Sequence, residues 1–227
     1  MYKIQFAALL IALFTLLSAC NQDTPTQSNV SKASSSGNNI IVPGVRVGDV
    51  TLQSDYEGLV KTFGKDAVTD DSICDGAECV DKVLVTYIHK GADNELIVYW
   101  ADSAYHQQIN FVEIDQKNSP YHTTTGLGVN TNLKQLEAMN GAPIKFYGFE
   151  WDYGGEILSA NGGKIDSLLQ LTLQYNAPDG TDMNVALAGE TELLSNDPVV
   201  QKEVDKIIVD KVIVYLNLRN WTVEVLK

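Results

Sequence analysis

The 227-residue sequence carries 16 basic against 29 acidic residues, a formal net charge of −13. That balance excludes the basic surface that nucleic acid or flat docking on anionic lipid requires. The length suits one sizeable domain or two small ones.

Residues 1–20 hold one basic residue, Lys3, then an uncharged run to Leu17 that ends in Ser18, Ala19 and Cys20. This is the layout of a secretory signal: the apolar run is shorter than the roughly 18–20 residues that span a bilayer, and no basic stop-transfer cluster follows. The predicted leader is 1–19. Its end, Leu17-Ser18-Ala19-Cys20, resembles the bacterial lipobox at every position. The resemblance implies a lipoprotein whose Cys20 becomes the N-terminus and is acylated. Several acyl chains, each buried CH₂ adding about 0.8 kcal/mol, make such an anchor effectively permanent. Asn21 stands where an aspartate is the familiar signal for inner-membrane retention. The expected localisation is therefore the outer membrane of a two-membrane cell, on its periplasmic side. Residues 20–40 are rich in Ser, Thr, Asn and Gln with a single Pro25, and cannot bury enough surface to offset their ordering entropy. They read as a lipidated tether that spans roughly 25 Å as a coil.

The globular part is expected over 41–227. A helix over 55–63 starts after Ser54, an N-cap with Glu57 three residues on, and stops at Gly64. Cys74 and Cys79 follow, separated by four residues. With Cys20 acylated they are expected to pair in an oxidising envelope and pin a turn, a loop closure worth about 2 kcal/mol. A redox pair would prefer two intervening residues and a helix start, and zinc would need a second ligand pair. Strands over 82–88 and 95–100, rich in Val, Tyr and Ile, flank a turn at 91–94, and a third over 108–114 completes an antiparallel meander. A second helix covers 131–139, with Leu133, Leu136 and Met139 at helical spacing and Asn140-Gly141 as its stop. In 168–175, Leu169, Leu171 and Leu173 alternate with Gln170, Thr172 and Gln174, the period of a half-buried strand. A turn at 178–180, a short strand over 183–188, a helix from Asp197-Pro198 to about 206, and a closing hairpin of 211–217 with 221–226 complete the predicted order. The fold class is α+β, mostly antiparallel sheet with a few short helices.

Two segments repeat a grammar. Gly44-Val45-Arg46-Val47 leads to a helix ending Leu59, Phe63, Gly64, and Gly126-Leu127-Gly128-Val129 to one ending Leu136, Asn140, Gly141, with Pro143 beyond. This unit is similar to the motif of the BamE family of outer-membrane assembly lipoproteins and to the tandem repeats of β-lactamase-inhibitory proteins. The first copy departs from it with Lys65 and Asp66 in place of the proline. The repeated grammar points to two tandem helix-plus-sheet halves, 41–120 and 121–227.

For chemistry, the unusual segment is 146–156, where Tyr147, Phe149, Trp151 and Tyr153 fall two residues apart. On one strand all four share a face. That face is either a platform for a sugar ring or partner peptide, or core, since large rings usually go inward. Glu150 and Asp152 would share the opposite face, about 7 Å apart and pointing outward in parallel, as a solvated surface rather than an acid–base pair. His89, His106 and His122 have no partner at metal-ligand spacing. No nucleophile elbow, phosphate loop or dinucleotide fingerprint occurs. No metal, cofactor or catalytic residue is therefore assigned. The expected function is a non-enzymatic, membrane-anchored envelope module that contacts another envelope protein or cell-wall glycan. Its rivals are a carbohydrate-active or sugar-binding lipoprotein using Trp151, and an inhibitor of an envelope enzyme.

Overall fold

The structure, a computed structural model, describes residues 38–75, 79, 81–178 and 182–216, all within one compact unit, Ser36–Lys227. In chain order these form β1 Ile40–Val42, β2 Arg46–Val47, β3 Val50–Thr51, α1 Tyr56–Phe63, β4 Val68–Asp75, β5 Asp81–Ile88, β6 Leu96–Asp102 and β7 Gln107–Ile114. Then come β8 His122–Thr123, α2 Leu133–Asn140, β9 Lys145–Tyr147, β10 Ile157–Ser159, β11 Leu169–Tyr175, β12 Glu192–Leu194, α3 Pro198–Gln201 and β13 Ile207–Tyr215. The class is α+β with mostly antiparallel sheet, as the sequence implies.

Three sheets carry the fold: a six-stranded one ordered β11-β13-β7-β6-β5-β4, a four-stranded β3-β2-β1-β8 and a three-stranded β10-β9-β12. The meander expected over 82–114 is β5, β6 and β7, and it acquires β4 as its edge, paired from Val68↔Ile88 to Asp75↔Asp81. β13 joins β7 and β11. The large sheet thus takes four strands from 41–120 and two from 121–227, and the strands that follow α2 divide between two sheets. A hairpin of 211–217 with 221–226 cannot be judged, because 217–227 lies outside the described residues, as does most of the turn at 178–180.

Register shows why the long strands read as nearly continuous apolar runs. Val98, Val112 and Val214 align on the face that meets the main core. One residue along, Asp71, Val85, Tyr99, Phe111 and Tyr215 align on the opposite face. There Tyr99 stacks on Phe111 at 4.2 Å, and Phe111 meets Tyr215 at 5.5 Å. Val85, Ile97 and Tyr215 are buried yet stand apart from the main core, so the sheet has a second apolar layer. Within that layer Glu113 is 8% exposed, with Lys211 Nζ 3.4 Å away. Burial pushes its carboxyl above the ordinary 4.5 against the opposing pull of Lys211. A raised folded pKa stabilises the fold below the unfolded value, and that contribution is lost as pH rises through the folded one. Glu113→Gln is therefore expected to gain on the native protein in denaturant midpoint as pH rises from about 4 to about 7. A gap that stays constant across that window would sink the assignment.

Local chemistry moves several predicted boundaries. Asp55, not Ser54, caps α1, accepting from Gly58 N at 2.7 Å, because Ser54 Oγ accepts from Thr51 N. Asn132 caps α2 in a reciprocal box with Gln135, which shifts the helix start beyond Thr131, and Gly141 closes it at φ 74°. The helix expected to reach 206 ends at Gln201. Met183–Ala188 is not a strand: Asn184 accepts from Ala186 N and turns Val185–Leu187 into a 3-10 turn.

Cys74, in register with Lys82 near the end of β4, forms a disulfide with Cys79 in the turn that leads to β5, their Cα atoms 4.6 Å apart. Replacing both with Ser is expected to cost about 2 kcal/mol in urea unfolding, since the closed loop is short. The loss should show first as faster amide exchange along β4, the sheet's edge.

Candidate functional site

The aromatic segment begins in β9, between β10 and β12. Phe146, fully buried, points into the core beside Leu193 and Ile157, so its neighbour Tyr147 points outward. Beyond Tyr147 the chain does not continue as a strand, which corrects the single-face expectation for Tyr147, Phe149, Trp151 and Tyr153. Gly148 N donates to Thr191 O and Phe149 N to Leu187 O, tying the segment to the loop before β12. A Cβ at Gly148 would lie 2.6 Å from Gly189 O, so only glycine permits this approach. Glu150 then adopts φ 66°, which breaks the period of two.

The reversal sorts the four rings. Phe149 is 5% exposed and lies 6.0 Å from Phe146, in the core. Tyr147, Trp151 and Tyr153 gather outside: Trp151 meets Tyr147 at 5.0 Å and 83°, and Tyr153 at 5.3 Å and 68°. Tyr153 is 61% exposed, and Trp151 is partly so. Edge-to-face contact of this kind is the arrangement aromatic quadrupoles prefer. The turn is closed by its own backbone, with Gly154 N donating to Trp151 O, Gly155 N to Tyr147 O and Glu156 N to Tyr153 O. Trp151 Nε1 donates to Gly148 O at 2.9 Å, which fixes the indole and uses its single donor. A rigid three-ring surface results, with no hydrogen-bond donor left on its central ring.

Its electrostatics are one-sided. Glu150 and Asp152 are exposed within the turn, and Glu190 is exposed in the loop to which the turn is tied. Lys145 on the outer face of β9 is occupied by Glu192. Segments 146–163 and 182–201, which build this surface, contain no Lys, Arg or His. Glu150 and Asp152 are both exposed to solvent.

Two further features escaped the sequence. A pocket of about 220 Å³ opens between Ile41, Thr123, Leu127, Met139 and Ile165, where α2 meets the four-stranded sheet. Near the end of the large sheet, Trp100 Nε1 donates to Thr86 Oγ1 at 2.9 Å, and Thr86 Oγ1 donates to Asp70 Oδ1 at 2.6 Å. His106 Nε2 lies 3.2 Å from Asp70 Oδ2, its ring against Tyr56 and Trp100. Thr86 is fully buried, so its hydroxyl supports the sheet and offers no reachable nucleophile. These side chains come from α1, the three successive strands β4, β5 and β6 and the turn after β6, at spacings that match no motif. His89 packs edge-on to Phe63, while His122 sits on β8. Among the described residues no group of three or more His, Cys, Asp or Glu could hold a metal ion. Nor is any helix there long and apolar enough to cross a membrane. Cys20 lies outside the described residues.

No protein-family model and no curated protein matches the chain. Among solved structures, the crystal structure of the uncharacterized protein yfeY from Escherichia coli is similar at a TM-score of 0.40 and 12% identity. The alignment covers 77% of this chain and 98% of that one.

Proposed function

We propose that this chain is a lipid-anchored cell-envelope protein of the non-enzymatic kind, acylated at Cys20 after removal of 1–19 and held on the periplasmic side of the outer membrane. Its folded domain works as a binding module, and its contact surface is the turn that carries Tyr147, Trp151 and Tyr153. One observation carries the reading: three large rings that could have entered the core are kept at the surface by a backbone-closed turn while Phe149 beside them is buried. Solvent-facing aromatic patches on a rigid support are the usual anchors of protein–protein contact. The solvent-exposed placement of Glu150 and Asp152 favours binding over glycoside hydrolysis, which needs two carboxylates flanking an enclosed bond.

The test is a photo-crosslinking amino acid at position 151 in living cells, with the same residue at Lys134 on the exposed side of α2 as control. A discrete adduct from 151 that is absent from 134 is expected. Equal labelling from both positions would remove the turn from consideration. Mass spectrometry of the native protein that returned an unacylated residue 20, or recovery in the inner-membrane fraction, would defeat the anchoring part.

A further inference from the structure

We infer that the partner surface recognised by the Tyr147–Trp151–Tyr153 turn is a cationic peptide segment, whose Lys or Arg side chains lie against the rings and among the carboxylates of Glu150, Asp152 and Glu190. This rests on the turn being the contact surface, and adds the chemistry of what it contacts.

The argument is one of charge and of what the rings can still do. Aromatic faces carry negative quadrupole density, so they attract cations as well as apolar groups. The indole N–H, the donor that Trp151 would offer a sugar hydroxyl or a carbonyl, is already given to Gly148 O. The turn and the loop tied to it carry three exposed carboxylates for which the described residues supply no ion-pair partner. The two segments that form this surface hold no basic residue, and the adjacent Lys145 is taken by Glu192. A neutral glycan would leave those charges unused, and an acidic partner would be repelled by them. A basic side chain satisfies ring and carboxylate together, its alkyl stem lying on the rings while its head meets the acids.

The experiment uses the full-length lipoprotein in non-ionic detergent and fluorescence anisotropy of two labelled ten-residue peptides. One alternates Lys with Gly, and the other alternates Gln with Gly. Unlabelled N-acetylglucosamine tetramer serves as competitor. The Lys peptide is expected to bind and the Gln peptide to bind at least about tenfold more weakly, with affinity falling as salt is raised. Trp151→Ala should weaken the Lys peptide about tenfold. The triple variant Glu150→Gln, Asp152→Asn, Glu190→Gln should weaken it about fivefold. All three of its positions are exposed, so the triple variant keeps the fold, and unchanged thermal unfolding verifies this. Equal binding of both peptides, or full affinity in the triple variant, overturns the cationic assignment while a loss in Trp151→Ala keeps the turn as the contact surface. Full displacement of the bound Lys peptide by the uncharged sugar overturns it in favour of glycan. No binding of the Lys peptide at millimolar concentration overturns it as well. Binding indifferent to Trp151→Ala removes the contact surface itself.

Discussion

Phe146→Ala is expected to lower the stability of the folded domain by about 3–5 kcal/mol, a large share of the total for a domain of this kind. Phe146 is fully buried at the centre of β9, opposite Leu193 of β12 on one side and Ile157 of β10 on the other. Its ring also meets that of Phe149, 6.0 Å away. Removing it takes away the contacts of both neighbouring strands at once. A sheet of three strands, each three residues long, has few others with which to close the space. Urea unfolding should show a lower midpoint with an unchanged slope, because the surface exposed on unfolding changes little. A loss below about 1 kcal/mol would mean that this small sheet is not part of the cooperative core. The site would feel the same change, since the strand that buries Phe146 presents Tyr147 on its other face.

What the sequence disclosed and what it withheld follow from where the determining contacts lie. Alternation in 169–175 is a local property, and Leu171 and Leu173 are buried as the pattern requires. The caps of both longer helices were legible to within two residues, because capping involves neighbours three positions apart. β4 carries no local signal: Val-Thr-Asp-Asp-Ser-Ile-Cys-Asp shows little apolar character, and it is a strand because β5 offers it an edge. The two-residue strands β2, β3 and β8 likewise exist through pairing rather than propensity. The second apolar layer of the large sheet was in fact visible. Runs such as Leu-Ile-Val-Tyr-Trp are apolar on both faces, the signature of a strand buried on both sides. At the candidate site the spacing identified the rings and misplaced their arrangement. Nothing local marks Glu150 for φ 66°, a conformation glutamate rarely adopts, because it is imposed by the bonds that Phe149 makes to Leu187 and Gly189 nearly forty residues on.

Gly155→Ala is the change that best separates the turn from the fold beneath it. Gly155 adopts φ 77°, and a Cβ there would lie 1.9 Å from the carbonyl oxygen of Leu173 in β11, a backbone atom that no rotamer change can move aside. The left-handed conformation alone costs a non-glycine residue about 1–3 kcal/mol, and the overlap adds to it. Stability is expected to fall by about 3 kcal/mol, which in a chain of this size is a drop of roughly 6–12 °C in Tm. Relief can come in one way, by separating Gly155 from β11. That movement breaks the bond from Leu173 N to Gly155 O, which ties the turn to β11, and with it the bond from Gly155 N to Tyr147 O, which closes the turn. The variant should therefore lose amide protection at Leu173 and Gly155 and lose the crosslink from position 151, while the β5–β6–β7 meander keeps its protection. If exchange accelerates uniformly instead, the turn and the large sheet unfold as one unit, and the surface at Trp151 is an integral edge of the core. If the crosslink survives while Leu173 loses protection, the rings are held by their mutual contacts and the indole bond to Gly148 O, and the hydrogen bonds to β11 serve the sheet alone.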